Sequence, residues 1–556
     1  MKDEKNKNKK GEAQHEQSEG SAESLYEKLT SDRYSFLMRA RDCSQYTIPT
    51  LIPPSGHSSA SKFYTPYQGM GARGVNNLSS KLLLTLLPPN APFFRLQIDD
   101  FTLEELTKQE GMRAAVEEGL NKIERAVQSE IEASAIRVSA FEAIKHLVVG
   151  GNVLCYLPDE GGMRVFPLER YVVQRDPMGK VLDIIVKETS AISSLPKDVR
   201  ELLGQDKDTS RYEGEGVNTT VDIYTRTYLE DGKWETYQEV KGMVIEGSTG
   251  TYPKDKSPWI PVRFTRVDGE NYGRSYVEEY LGDVKSLEGL SQAIVEGSAA
   301  AAKVLFMVNP NGTTSQETLA NAGNGAVVEG TEQDVSVLQL NKQNDFRVAL
   351  DTINTISERL SFAFLLNSAV QRSGDRVTAE EIRFMAGELE SALGGIYSIL
   401  SLELQLPMVS RLMFYMERKK KLPVLPKGTV RPQIITGMEA LGRGNDLTKL
   451  DQFIQPCLQV PALAARVNLG DYLTRRGTAL GIDMKGLIKS DDDMAQEQQA
   501  IEAKQAQEQQ MDLLKQSIPS LAGAGGGVLK QHLANHPDME MPDMSQMAQQ
   551  AQQPQQ

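Results

Sequence analysis

Cysteine is scarce in this chain of 556 residues, with only Cys43, Cys155 and Cys457. Positions so far apart suggest neither a disulfide framework nor a zinc pattern, and a reducing compartment fits them. Histidine is nearly as rare, at five. None stands in a His-Glu-x-x-His pattern or beside a Cys/His cluster. His532 and His536 are four apart, a spacing that suits a metal on a helix. No third ligand is near them and the setting is of low complexity, so solvated side chains are expected there. No Gly-x-x-x-x-Gly-Lys-Ser/Thr phosphate loop and no Gly-x-Ser-x-Gly elbow occurs, and the acidic run 491–493 reads as a solvated face or a helix cap. No enzyme, catalytic residue, metal or cofactor is therefore expected. Long apolar runs are missing too. Residues 81–88 and 299–308 fall well short of the roughly eighteen that a spanning helix needs, so neither a membrane segment nor a membrane partner is expected. Residues 1–23 are polar and lack the apolar core of a secretory signal, so the protein is expected to stay in the cell that makes it. Basic side chains are outnumbered by acidic ones, 61 to 75, for a net charge of −14. That balance argues against a tight grip on nucleic acid, which needs Lys and Arg to displace counterions, but not against DNA sliding past.

What is present reads as a folded protein with a sizeable core. Hydrophobic residues make up 40% and charged ones 24%, over a length that suits about two to four domains. The organising stretch is 345–418, two helical segments around the polar loop 367–377. Phe346, Leu350, Ile353, Ile356, Leu360 and Phe364 mark one apolar face. Ile382, Met385, Leu389, Leu393, Ile396, Leu400 and Leu404 mark the other. The helices span about 33 and 40 Å at about 1.5 Å per residue, and faces that long need a large partner surface. The second opens on a capping box, Thr378 to Glu381. A similar box, Ser275 to Glu278, opens a helix with Tyr280, Val284, Leu287, Leu290 and Ile294 at core spacing. That helix ends in the small residues 297–302, which allow close approach of backbones.

Residues 1–20 should be disordered. An amphipathic helix carrying Leu25, Leu29, Phe36, Leu37 and Ala40 follows, then a Pro- and Ser-rich loop to Ser61. Gly69-Met-Gly71-Ala-Arg-Gly74 formally matches the dinucleotide fingerprint. Pro66 interrupts the strand that should precede it, so a glycine-rich helix entry is the favoured reading. Helices are expected at 102–134 and 138–149, the latter closed by Gly150-Gly151. The period then changes to two, with strands at 153–157, 171–174, 181–186, 221–228, 234–240 and 262–266 and a polar insertion at 204–219. Residues 304–340 read as a β-rich excursion. After Pro423 the chain should be helical, becoming Gln-, Met- and Ala-rich beyond 491. The fold class is α+β.

Several stretches together resemble the portal proteins, or head-to-tail connectors, of autographivirus-type short-tailed double-stranded DNA phages. They are Tyr46-Thr-Ile-Pro49, Gly71-Ala-Arg-Gly74 with Asn77-Leu78, Gly151-Asn-Val-Leu154, Tyr171-Val-Val-Gln-Arg-Asp176, Gly250-Thr-Tyr-Pro-Lys254, Tyr272-Gly-Arg-Ser-Tyr276 with Glu278-Glu-Tyr-Leu-Gly-Asp283, Arg359-Leu-Ser-Phe-Ala-Phe364 with Leu366-Asn-Ser-Ala-Val-Gln-Arg372, and Gly394-Gly-Ile-Tyr-Ser-Ile-Leu400. The resemblance covers roughly 22–485 and leaves both ends out.

The resemblance implies a phage portal fold, mainly helical in wing, stem and crown with a small β-rich clip, assembled as a ring of about twelve copies around a DNA channel. Residues 1–20 would be a tail, 21–274 the wing, 275–303 the first stem helix, 304–341 the clip and 342–366 the second stem helix. Residues 367–377 would be the tunnel loop, 378–422 a long wing helix, 423–500 the crown and 501–556 a low-complexity tail. The ring would sit at the portal vertex of the capsid in the virion, made in the host cytoplasm, and serve packaging, retention and ejection of double-stranded DNA. Implied partners are the terminase large subunit, transiently, then tail adaptor and nozzle proteins, with scaffold, internal core and major capsid proteins. Gln371, Arg372, Ser373, Gly374, Asp375 and Arg376 would line the constriction, and Gly297, Ser298, Ala299 and Ala300 would pack the stem. Arg372 and Arg376 would hold DNA transiently, or else pair with Asp375 or Glu380 and only shape the turn. The rival reading is a nucleotide-binding enzyme of DNA metabolism using the loop 69–74; another is a scaffold ring without DNA passage.

Overall fold

The computed structural model describes residues 20–58, 60–89, 93–97, 112–192, 195, 199–200, 220–301, 305–338, 343–366, 379–393, 395–422, 433–436, 443–464, 467, 469–480 and 499–509. The N-terminal tail expected at 1–20, the polar insertion, the tunnel loop with the Thr378 cap and the C-terminal tail lie wholly or almost wholly outside them. Contacts divide the chain into a unit through Thr448 and another from Lys449.

The first unit starts with helix α1 (Ala22–Gln45), capped by the Ser21 hydroxyl and burying Tyr26, Leu29, Leu37 and Ala40. Buried Glu239, from a distant strand, also accepts from Ala22 N at 2.8 Å. Helix α2 (Met70–Leu86) begins at the glycine cluster, and no strand precedes it among the described residues. A Cβ on Gly71 would lie 2.6 Å from Tyr46 O, and one on Gly74 2.6 Å from the Phe364 ring. These glycines let two neighbours approach the helix and build no nucleotide loop, which removes the basis of the enzyme reading.

Strand β1 (Phe94–Gln97) and helices α3 (Met112–Ala133) and α4 (Ile136–Gly150) follow, and Gly151 at φ 73 closes α4. The β region then comprises β2 (Asn152–Tyr156), β3 (Arg164–Phe166), β4 (Tyr171–Arg175), β5 (Val181–Ala191), β6 (Thr220–Glu230), β7 (Lys233–Val240), β8 (Met243–Val244), β9 (Gly250–Pro253) and β10 (Trp259–Arg263). One antiparallel sheet has the order β10-β2-β3; the other runs β4-β5-β6-β7-β8, with β9 also on β7. The strand expected at 262–266 lies earlier, because Pro261 and Trp259 pair with β2 while Thr265 makes only a single bridge to Arg274. A single-turn helix, α5 (Tyr276–Glu279), and a long one, α6 (Leu281–Ala301), take the place of one helix. Only half of the expected capping box forms. The Ser275 hydroxyl accepts from Glu278 N at 2.9 Å, while the Glu278 carboxylate turns to Arg39 and Arg274.

The β-rich excursion is a single antiparallel ribbon of β11 (Leu305–Val308) and β12 (Val335–Leu338), with the short α7 (Gln316–Asn321) between them. Helix α8 (Gln343–Ala363) then returns along α6. The long helix expected at 378–422 is not continuous. It is divided into α9 (Ala379–Ala392), α10 (Ile396–Leu400), a π turn at Ser401–Gln405 and α11 (Leu406–Arg418), with the axis turning by 109° before Ile396. Gly395 at φ 90 makes the bend. Met385, Leu389, Leu393, Ile396, Leu400 and Leu404 are all buried nonetheless, so their spacing held no sign of it. Strand β13 (Gln433–Thr436) pairs with β1, which corrects the all-helical expectation after Pro423 and puts the first residues of the expected crown in the first unit. The core joins α2, α4, the β2 sheet and the ends of α6, α8, α9 and α11 through Leu78, Leu82, Ile144, Leu147, Val153, Val284, Leu360, Leu389 and Leu412.

In the second unit, reached along α12 (Arg443–Gln459), are α13 (Pro461–Ala464) and α14 (Leu469–Leu480). Asp451 accepts from the Tyr472 hydroxyl at 2.7 Å and pairs with Arg476 at 3.4 Å. No single helix among the described residues is long and apolar enough to cross a membrane.

Candidate functional site

The site is the antiparallel pair α6 and α8 with the ribbon at its far end. Two contacts set the pairing. Arg359 meets Asp283 at 2.9 Å near the body of the unit, and a Cβ on Gly297 would fall 2.8 Å from the Phe346 ring at the far end. Gly297 is thus a point of close helix approach within one chain. Ser298, Ala299 and Ala300 are exposed and make no such contact there.

The near end of α6 is fixed by a buried carboxylate. Glu288, 3% exposed, accepts from the Tyr64 hydroxyl at 2.6 Å, from Tyr67 N at 2.9 Å and from Gln68 N at 3.2 Å. Gln68 in turn donates to Tyr46 O at 2.7 Å and accepts from Gly71 N at 2.8 Å. A negative charge from α6 is therefore placed where the chain enters α2, the end at which backbone donors lack partners. The hydrogen bond to Glu288 pushes the Tyr64 hydroxyl up to about 12. Lys285 and Asp42, at 3.0 Å, add an exposed tie to α1.

Burial fades with distance along the pair. Val284, Leu287, Ile356, Leu360 and Ala363 are buried, whereas Val348 and Leu350 are 67% and 51% exposed. Leu350 therefore leaves the buried face expected for it. In the ribbon, Phe306 and Val337 are direct cross-strand partners and are 64% and 51% exposed. An isolated two-stranded ribbon is marginal in water, and this one is pinned by Asp334. That carboxylate accepts from Thr313 N at 2.8 Å and Thr314 N at 3.3 Å, and from both hydroxyls at 3.2 Å. The Thr313 backbone bond and its companions hold the Asp334 carboxyl below the usual range.

Gln371, Arg372, Ser373, Gly374, Asp375 and Arg376 lie outside the described residues, as do His532 and His536. Among the described residues no three of His, Cys, Asp or Glu stand close enough to hold a metal. Reasoning from sequence gave no structural role to Glu288, to Asn77, which donates to Phe364 O and Leu365 O, or to Lys81, which donates to Leu365 O. Each occupies a helix position that reads as an ordinary polar face, and only the partner across the fold distinguishes it.

The chain belongs to the family described as bacteriophage head to tail connecting protein, which matches residues 19–488. It is a structural protein of the virion at the junction of head and tail, not an enzyme. Among its relatives, the portal protein of Escherichia phage T7 is 45% identical over 507 residues, 89% of this chain and 92% of its own. The portal protein of Enterobacteria phage T3 is 44% identical over 91% of this chain and 93% of its own. A chain in the solved neck of an empty GTA particle aligns over 70% of this chain and 86% of its own, at 10% identity and a TM-score of 0.34. That likeness is too slight to add to the assignment.

Proposed function

We propose that the chain closes into a ring of about twelve copies at one capsid vertex, around a channel through which double-stranded DNA is packaged, retained and ejected. The observation that carries this reading is the loss of burial along α6 and α8. A lone chain leaves Val348, Leu350, Phe306 and Val337 largely exposed, and large apolar side chains concentrated at one end of an element suit contact with another copy. Two different exposed faces are available for it. On α6, Gly282, Ser286, Gly289, Ala293 and Ala300 present small side chains; on α8, Val348, Thr352, Thr355, Arg359 and Phe362 recur at like spacing. Unlike faces on one chain suit a head-to-tail contact, the kind that closes a ring.

In this reading 275–303 and 342–366 are the stem, with Gly297 packing it within a chain and Ser298, Ala299 and Ala300 between chains. Residues 304–341 are the clip, 21–274 and 378–422 the wing, and the crown of 423–500 begins beyond β13. The loop 367–377 narrows the channel, with Arg372 and Arg376 meeting DNA phosphates briefly while the net charge of −14 keeps the wall from gripping the duplex. The terminase large subunit docks first and tail adaptor and nozzle proteins later; scaffold, internal core and major capsid proteins surround the ring, which is made in the host cytoplasm. Native mass spectrometry tests the assembly. A species of about 740 kDa, about twelve times the 61.4 kDa chain, is expected, and a stable monomer at micromolar concentration overturns the reading.

A further inference from the structure

The end of α8 is held in an uncommon way. Leu365 adopts φ 54, a left-handed conformation that glycine normally supplies and leucine adopts only at a cost. Bonds from Leu365 N to Phe362 O and from Leu366 N to Ser361 O complete a Schellman ending. Its carbonyls are taken by side chains from other elements. The Tyr276 hydroxyl donates to Ala363 O at 2.8 Å, and Asn77 Nδ2 to Phe364 O at 2.9 Å and Leu365 O at 3.0 Å. Lys81 Nζ donates to Leu365 O at 3.0 Å. Lys81 is itself buried in α2, and its ammonium faces Glu388 Oε2 of α9 at 3.9 Å. One buried cation thus meets the last turn of α8 and the middle of α9, two helices separated in sequence by residues 367–378.

We infer that Lys81 couples these helices, so that loosening either one loosens the other. A charge held out of water needs its compensating partners together. When α9 draws Glu388 away, the ammonium has less to hold it in a buried site and releases Leu365 O. The left-handed turn at Leu365 then has one restraint fewer against its own strain. The reverse also holds, because release of Leu365 O frees Lys81 to leave Glu388. Burial pushes the Lys81 amine down while Glu388 opposes that shift. Every contact lies within one chain, so the coupling goes beyond the ring reading and does not depend on it.

Hydrogen exchange of the full-length protein, read by mass spectrometry, tests this through Lys81→Met, Glu388→Gln and the double variant. Exchange in folded segments reports local opening. Lys81→Met should speed exchange in residues 360–366 and in α9 by about tenfold, the factor expected for losing a hydrogen bond to a buried charge. Glu388→Gln, which alters only the α9 side, should speed exchange in residues 360–366 as well, and the double variant should exchange no faster than Lys81→Met alone. Unchanged exchange at 360–366 in Glu388→Gln overturns the coupling, as does an additive double variant. If Lys81→Met fails to fold, Glu388→Gln decides alone.

Discussion

His146 and Glu288 carry the clearest consequences for single side chains. Burial drives the His146 imidazole down to about 4, with Lys145 adding to the effect. The unfolded chain takes up this proton near pH 6.5 and the folded chain only near 4. Below 6.5 the unfolded state therefore binds more protons, and stability is lost as pH falls through that window, by about 3 kcal/mol in all. His146→Leu should flatten the dependence of the denaturation midpoint between pH 6.5 and 4; an unchanged slope assigns acid sensitivity elsewhere. Glu288 satisfies two backbone donors and a tyrosine hydroxyl at once. Glu288→Ala should cost about 3 kcal/mol and Glu288→Gln about 1 kcal/mol, because the amide keeps one acceptor. Equal midpoints for the two variants would show that the charge itself, rather than the acceptor oxygens, fixes α6 to the entry of α2.

For the helix pair and its ribbon, the prediction separates folding from assembly. Val348 and Leu350 contribute little to the core of a single chain, since both are mostly exposed. The double variant Val348→Asp with Leu350→Asp should leave secondary structure and the melting of the isolated chain within about 0.5 kcal/mol of the parent. The same variant should lower native mass to that of monomers or small oligomers, measured by light scattering. Rings of normal mass would move the subunit contact off α8. The apolar spacing of these helices was legible in sequence, because steps of three and four give one face whatever covers it. Which part of that face is covered within the chain was not. Leu350 and Leu360 occupy equivalent positions in the pattern, and only distance along the pair separates an exposed side chain from a buried one.

In the proposed ring, weak contacts would be multiplied by symmetry. A few tenths of a kcal/mol for each arginine, repeated about twelve times, would amount to several kcal/mol around a duplex. Arg372→Ala with Arg376→Ala should therefore leave ring mass and thermal stability unchanged while genome retention falls, scored as DNA leaking from filled heads. Normal packaging and retention would remove these arginines from the channel, and failure to form rings would make them structural.

The sequence by itself determined the α+β class, the order of helices and strands through most of the first unit, the helix endings written as Ser275 or Gly151, and, through its motifs, the connector family. These follow from local chemistry: periodicity, capping hydroxyls and glycine at positive φ act over a few residues. Tertiary structure alone decided the rest. It turned the glycines at 71 and 74 into points of close packing, bent the 378–422 segment at Gly395, and brought β13 back to β1 across more than three hundred residues. It also placed Glu288 and Lys81 where a buried charge finds its partners. Each of those outcomes depends on which surface lies opposite, and a side chain carries no local mark of a partner that only folding brings within reach.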